Sequence, residues 1–101
     1  MEKRKPHYPL SKIQEAVTSG GADVFTRTAI VHSQEMGLTI EQAIEVVCSM
    51  AHKDFHKSMT TEMSSQVWQD VYHPQTPVAK QAYVKVTLRE EGSIVVQFKE
   101  K

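Results

Sequence analysis

The hydrophobic period of this chain changes once, near residue 56, and that change limits the folds open to it. Before it, apolar residues recur at helical spacing; after it, they alternate with polar ones. Helices first and strands after predict an α+β fold: three N-terminal helices packed on a mainly antiparallel C-terminal β-sheet. With 101 residues the chain suits a single domain spanning 1–101, around one modest core.

In the first half, Ser11 and Gln14 read as a capping box for a short helix whose apolar face is Ile13, Ala16 and Val17. Gly20-Gly21 ends it. A second helix is predicted from about Asp23 to Met36, with Phe25, Ala29, Ile30 and Met36 inward and Gly37 just past its end. Thr39 and Gln42 cap a third. Its residues Ile40, Ala43, Ile44, Val47, Cys48 and Ala51 fall at i, i+3, i+4, i+7, i+8 and i+11, one continuous stripe.

In the second half, strands are predicted over 57–61, 66–72, 81–89 and 93–100. The two prolines of His73-Pro74-Gln75-Thr76-Pro77 make that stretch a loop. The last two strands form a hairpin whose register follows from matching faces. Ala82, Val84, Val86 and Leu88 belong with Ile94, Val96 and Phe98 on the core side. A three-residue Glu90-Glu91-Gly92 loop, with Gly92 left-handed, satisfies that match. It sets Lys85 against Gln97 and Tyr83 against Lys99, on the face the core does not need. A tyrosine hydroxyl and a lysine ammonium are thus expected to meet there.

Net charge says little, and its distribution says more. Twelve basic residues balance twelve acidic ones, so bulk charge gives no argument for nucleic acid. The distribution is uneven: residues 1–12 carry +3, residues 13–52 carry −4 and residues 53–101 carry +1. Chain ends that meet in space would form a local anion site. No run reaches the ~18–20 apolar residues of a membrane span, and no apolar stretch follows the basic N-terminus as in a secretory signal. No membrane association is expected. A single cysteine, Cys48, excludes an internal disulfide framework and a cysteine-based zinc site. The expected compartment is the cytoplasm.

Tyr83 and Lys99 suit phosphoryl chemistry. An ammonium stabilises charge on a pentacoordinate phosphorus, and a phenol orients or transfers a proton. The alternative is a solvated strand face with a snorkelling lysine, and the residues alone leave both open. Lys57 sits where the two halves join, a place for either a cleft residue or a surface lysine. His52 and His56 have the i, i+4 spacing of helical metal ligands, but Asp54 would point elsewhere. Three or four ligands are needed, so no metal site is expected. Cys48 lies within the apolar stripe, and Trp68 reads as a core residue more than a base-stacking one. Lys3, Arg4 and Lys5 belong either to a phosphate contact or to a frayed terminus. No Gly-rich phosphate loop, Ser/His/Asp constellation or helix-turn-helix pattern occurs, and direct DNA binding is not expected.

Several stretches together resemble one family. They are Met1-Glu2-Lys3-Arg4 with Pro6-His7, Asp54-Phe55-His56-Lys57-Ser58-Met59-Thr60-Thr61, Trp68-Gln69-Asp70-Val71-Tyr72, and Phe98-Lys99-Glu100-Lys101. The chain resembles the toxins of the motility quorum-sensing regulator (MqsR) family of bacterial toxin–antitoxin modules. The resemblance implies a RelE-like ribonuclease fold and metal-independent, cofactor-free cleavage of messenger RNA at GC-containing triplets such as GCU, with growth arrest as the result. It implies an MqsA-like antitoxin partner, with a zinc-binding N-terminal part and a helix-turn-helix C-terminal part. It carries the catalytic roles onto Lys57, Gln69, Tyr83 and Lys99, with His7, Lys85 and Arg4 as weaker substrate-binding candidates. The implied reaction is attack of a ribose 2′-hydroxyl on the adjacent phosphate, leaving a 2′,3′-cyclic phosphate. Lys57 or His7 would assist the 2′-proton, Lys57 and Lys99 being close enough to weaken each other's hold on a proton. Two positions depart from the family: His56, where tyrosine is expected, and His73, where arginine is. An inactive relative that only binds its antitoxin is the competing reading.

Overall fold

The computed structural model describes residues 1–101 and has the expected α+β architecture. Strand β1 (Glu2–Lys3) comes first. Helices α1 (Leu10–Gly20), α2 (Arg27–Glu35) and α3 (Ile40–Cys48) follow, then β2 (Phe55–Thr60), β3 (Trp68–Tyr72), β4 (Ala82–Leu88) and β5 (Ile94–Glu100). The strands form one sheet in the order β1-β2-β3-β4-β5, every neighbour antiparallel. The helices cover one face. Ile13, Val17, Ala29, Ala43 and Val47 pack there with Tyr72, Val84, Val86, Val96 and Phe98.

The hairpin has the register predicted for it. Tyr83 faces Lys99 and Lys85 faces Gln97. Gly92 takes φ +96°, its N–H donating to the Arg89 carbonyl at 2.9 Å, while Arg89 N–H donates to Ser93 at 2.8 Å. Gly37 (φ +97°) closes α2, with the Leu38 N–H donating to the Ser33 carbonyl and the Gly37 N–H to Gln34. The Thr39–Gln42 capping box starts α3.

Elsewhere non-local bonds override local signals. Ser11 and Gln14 do not cap α1. Pro9 holds the N-cap position, and the Gln14 amide instead donates to the Val47 and Met50 carbonyls, tying α1 to the end of α3. The long second helix is broken. Residues Gly21–Val24 form a 3-10 turn, and Phe25 is extended, bridging Val96 in parallel. Thr26 donates its N–H to Val96 and only then caps α2 with its hydroxyl. The unpaired edge of β5 thus captures two residues that would otherwise be helical. Helix α3 stops at Cys48, leaving Ala51 exposed, and the buried stripe is Ala43, Val46, Val47 and Met50.

The N-terminus is not frayed. It forms the edge strand β1, and Met1 holds Thr60 through both its amino group and its carbonyl, each at 2.9 Å. Asp70, fully buried, then fastens the next segment. It accepts from the backbone N–H of His7 and Tyr8 and from the Ser58 hydroxyl at 2.6 Å.

Candidate active site

Strand alternation assigns each candidate residue to a face. Ser58 opposes Asp70, and Asp70 opposes Val86, so these three lie on the helix side. Lys57, Met59, Gln69, Val71, Tyr83, Lys85, Thr87, Gln97 and Lys99 therefore lie on the outer side. Residues opposed across neighbouring strands arrange them in rows. Met59 and Gln69 belong to one, Lys57, Val71, Lys85 and Gln97 to the next, and Tyr83 with Lys99 to a third.

A β-bulge sharpens this pattern. Phe55 opposes Tyr72, yet Lys57 opposes Val71, so one extra residue is inserted at His56. The insertion turns His56 and Lys57 to the outer side together. His52 sits in a 3-10 turn (His52–Asp54), not on a helix with His56, so the supposed helical metal spacing does not exist. The Asp54 carboxylate accepts from the Ala51 N–H.

The four catalytic candidates and Lys85 thus share one face, with distinct surroundings. Lys57 pairs with Glu2 at 2.9 Å, and this cation holds the Glu2 carboxyl below the ordinary carboxylate range. Gln69 donates to the Thr87 hydroxyl at 3.4 Å. The Lys99 ammonium sits 5.1 Å from the centre of the Tyr83 ring, over its face and not at its hydroxyl as anticipated. Lys57 and Lys99 are three strand spacings apart, roughly 14 Å. The Lys57 ammonium turns to Glu2 and the Lys99 ammonium to the Tyr83 ring, so the two do not meet as anticipated.

Arg4 follows β1 and donates to the His56 carbonyl at 3.5 Å, which places it beside Lys57. Lys85 stands centrally in the Lys57 row. His7 is not part of the cluster. Its ring stacks on Trp68 at 5.3 Å, on the helix side, with Nδ1 2.8 Å from Lys3. Burial, with Lys3 nearby, holds the His7 imidazole below its ordinary value. Trp68 is consequently not a core residue. It is half-buried, between His7 and the Lys3 ammonium 4.1 Å from its centre.

Two open grooves border the cluster and share Gln97. One, of about 420 Å³, lies between α2 and the sheet, lined by Thr28, His32, Tyr83, Lys85 and Lys99. The other, of about 690 Å³, passes from His7 and Tyr8 around the end of the sheet to Gln69, Thr87 and Gln97. His32, which lines the first groove, was not among the sequence candidates, and His56 and His73, singled out only as departures from the family pattern, form a stack next to Tyr83. Parity would have found His73, since Gln69, Val71 and His73 alternate, but the prolines beyond it made it read as loop.

A flat face with three lysines, a tyrosine and two glutamines suits a polyanion with extended bases. The sequence pattern of the family described as motility quorum-sensing regulator, toxin of MqsA, matches residues 5–100. The chain belongs to this family. Over 101 residues it is 40% identical to the mRNA interferase toxin MqsR of Escherichia coli (strain K12), covering 100% of both chains.

Proposed function

We propose that this chain is the toxin of a type II toxin–antitoxin pair and an endoribonuclease that cuts messenger RNA. The observation that carries the reading is the shared outer face of Lys57, Gln69, Tyr83 and Lys99, one residue from each of four adjacent strands. The family match and the relative's activity support it. The whole chain acts as one RelE-like domain in the cytoplasm, and no helix is long and apolar enough to cross a membrane.

In this reading a ribose 2′-hydroxyl attacks the adjacent phosphorus in line. Lys99 stabilises the charge that develops on the non-bridging oxygens. Tyr83, held by that ammonium against its ring, presents its hydroxyl to the leaving oxygen. Gln69 and Gln97 hydrogen-bond bases lying in the second groove, favouring GC-containing triplets such as GCU. Lys57, already paired with Glu2, serves as a phosphate-binding cation and not as a base, with Arg4 and Lys85 beside it. The nucleophile is the RNA itself, so the reaction calls for no metal and no cofactor. An MqsA-like antitoxin, with a zinc-binding N-terminal part and a helix-turn-helix C-terminal part, restrains the toxin.

The test is incubation of purified protein with single-stranded RNA of mixed sequence, with and without EDTA. Cleavage that resists EDTA and leaves 2′,3′-cyclic phosphate ends supports the reading. Intact RNA together with tight antitoxin binding would instead identify an inactive, regulatory relative.

A further inference from the structure

Lys57 is bound to Glu2, and His7 stacks on Trp68 in the second groove, which Tyr83 and Lys99 do not line, so neither stands beside the Tyr83–Lys99 pair to take the 2′-proton. The bulge that inserts His56 supplies a group that does. The His56 ring stacks on His73, centroids 4.4 Å apart and planes inclined by 24°. His73 lies 5.5 Å from the Tyr83 ring, which carries Lys99 over its face. His56, His73, Tyr83 and Lys99 therefore form an unbroken line across β2, the end of β3, β4 and β5.

The two imidazoles differ in exposure. His56 is open to solvent, whereas His73 lies half-buried beneath it, with Nε2 buried and without a hydrogen-bond partner. Burial, with His56 and Lys101 adding repulsion, holds His73 below its ordinary value. The charged and titratable groups around the pair are Arg4, which donates to the His56 carbonyl from beyond β1, Tyr83 from β4, and Lys99 and Lys101 from the end of β5. Asp54 meets His73 only through the backbone, accepting its N–H at 2.7 Å. No carboxylate is hydrogen-bonded to either ring.

We propose that His56 is the catalytic base of RNA cleavage and that His73 is the positioning residue that holds it beside Tyr83. The inference rests on the ribonuclease reading and deepens it. His56 takes the proton from the 2′-hydroxyl as its oxygen forms the bond to phosphorus. The bond from phosphorus to the 5′-oxygen breaks, and Tyr83 donates its proton to that oxygen. Solvent then returns the His56 proton to Tyr83, leaving both side chains as they began. An imidazole suits the first step because it exchanges protons near neutral pH.

The experiment is single-turnover cleavage of a mixed-sequence single-stranded RNA across pH 5–9 (roughly the imidazole range) by wild type, H56Q, H56A and H73Q. Wild type should show a rate that rises with pH through that range. H56Q should lose roughly 100-fold at neutral pH, the usual scale for a general base, together with that rise. Imidazole added to the buffer should restore H56A, which a purely structural role for His56 would not allow. H73Q should shift the midpoint of the rise while leaving RNA affinity unchanged. If H73Q fails to fold, the imidazole rescue of H56A carries the test. Wild type that cleaves, with H56Q equally fast and equally pH-dependent, overturns the pair alone. RNA left intact by wild type overturns the ribonuclease reading and the pair with it.

Discussion

Tyr72 and Tyr83 lie on neighbouring strands, on opposite faces of the sheet. Tyr83 turns outward beneath the Lys99 ammonium, its hydroxyl available to a substrate. Tyr72 is completely buried, and its hydroxyl has no partner. Burial, with the Asp70 charge adding to it, pushes the Tyr72 phenol up to about 12. An unsatisfied buried hydroxyl costs about 1–3 kcal/mol. Tyr72→Phe should therefore leave stability in urea unchanged or raise it by about 1 kcal/mol. The raised value also has a sign. Below its ordinary value near 10 the phenol is neutral in the folded and the unfolded chain alike, and as pH climbs from there towards 12 the unfolded chain ionises first, so stability falls. Wild type should lose stability over that interval and Tyr72→Phe should lose less. On the outer face the consequences follow from the proposed reaction. Lys99→Ala removes both the charge proposed to face the phosphorane and the group seated on the Tyr83 ring. It should slow RNA cleavage by about 100-fold or more, and circular dichroism should be unchanged, because Lys99 is exposed.

Among the elements, β3 organises the most. Its Asp70 accepts from two backbone amides ahead of α1 and from Ser58 in β2. Asp70→Ala would strand those donors inside the protein, a loss of about 3 kcal/mol or more, equivalent to over ~10 °C in Tm for a domain of this size. Thermal melting checks the figure, and protease cleavage ahead of α1 should become fast. None of this was legible in the sequence, because a buried carboxylate that binds backbone amides leaves no periodicity. The β4–β5 hairpin was legible, since apolar and polar residues alternate on both strands and only one loop length matches them. Tyr83 and Lys99 were placed together by that argument. The bulge at His56 was not, because inserting one residue breaks the alternation on which the argument depends. Helix α2 began late for a related reason: Phe25 and Thr26 satisfy the edge of β5, a strand about seventy residues further along the chain.

At the scale of the molecule, zero net charge conceals an unequal partition. Among strand residues the outer face presents Lys57, Lys85 and Lys99 against the single carboxylate of Glu2, while the helical half carries the acidic excess. Acid should weaken the fold. His7 and His73 are both held below the ordinary imidazole value. The folded state therefore takes up protons later than the unfolded chain, and stability falls as pH drops through about 6.5. Tm should fall between pH 8 and pH 5 (a span chosen to bracket about 6.5), and H73Q should flatten part of that fall. Salt should act on binding, not on folding. Single-stranded RNA releases about 0.7 counterion for each phosphate neutralised. With three or four face cations engaged, counting Arg4, the logarithm of affinity should fall against that of salt with a slope of about −2 to −3. Lys85→Ala, tested with RNA under conditions that prevent cleavage, should make that slope shallower by about 0.7. Glu2→Gln, which releases Lys57 from its partner, should tighten binding and steepen it. A neutral protein that binds by stacking alone would show a slope near zero in all three forms, so the slope measures how far this face, and not the whole surface, recognises the polyanion.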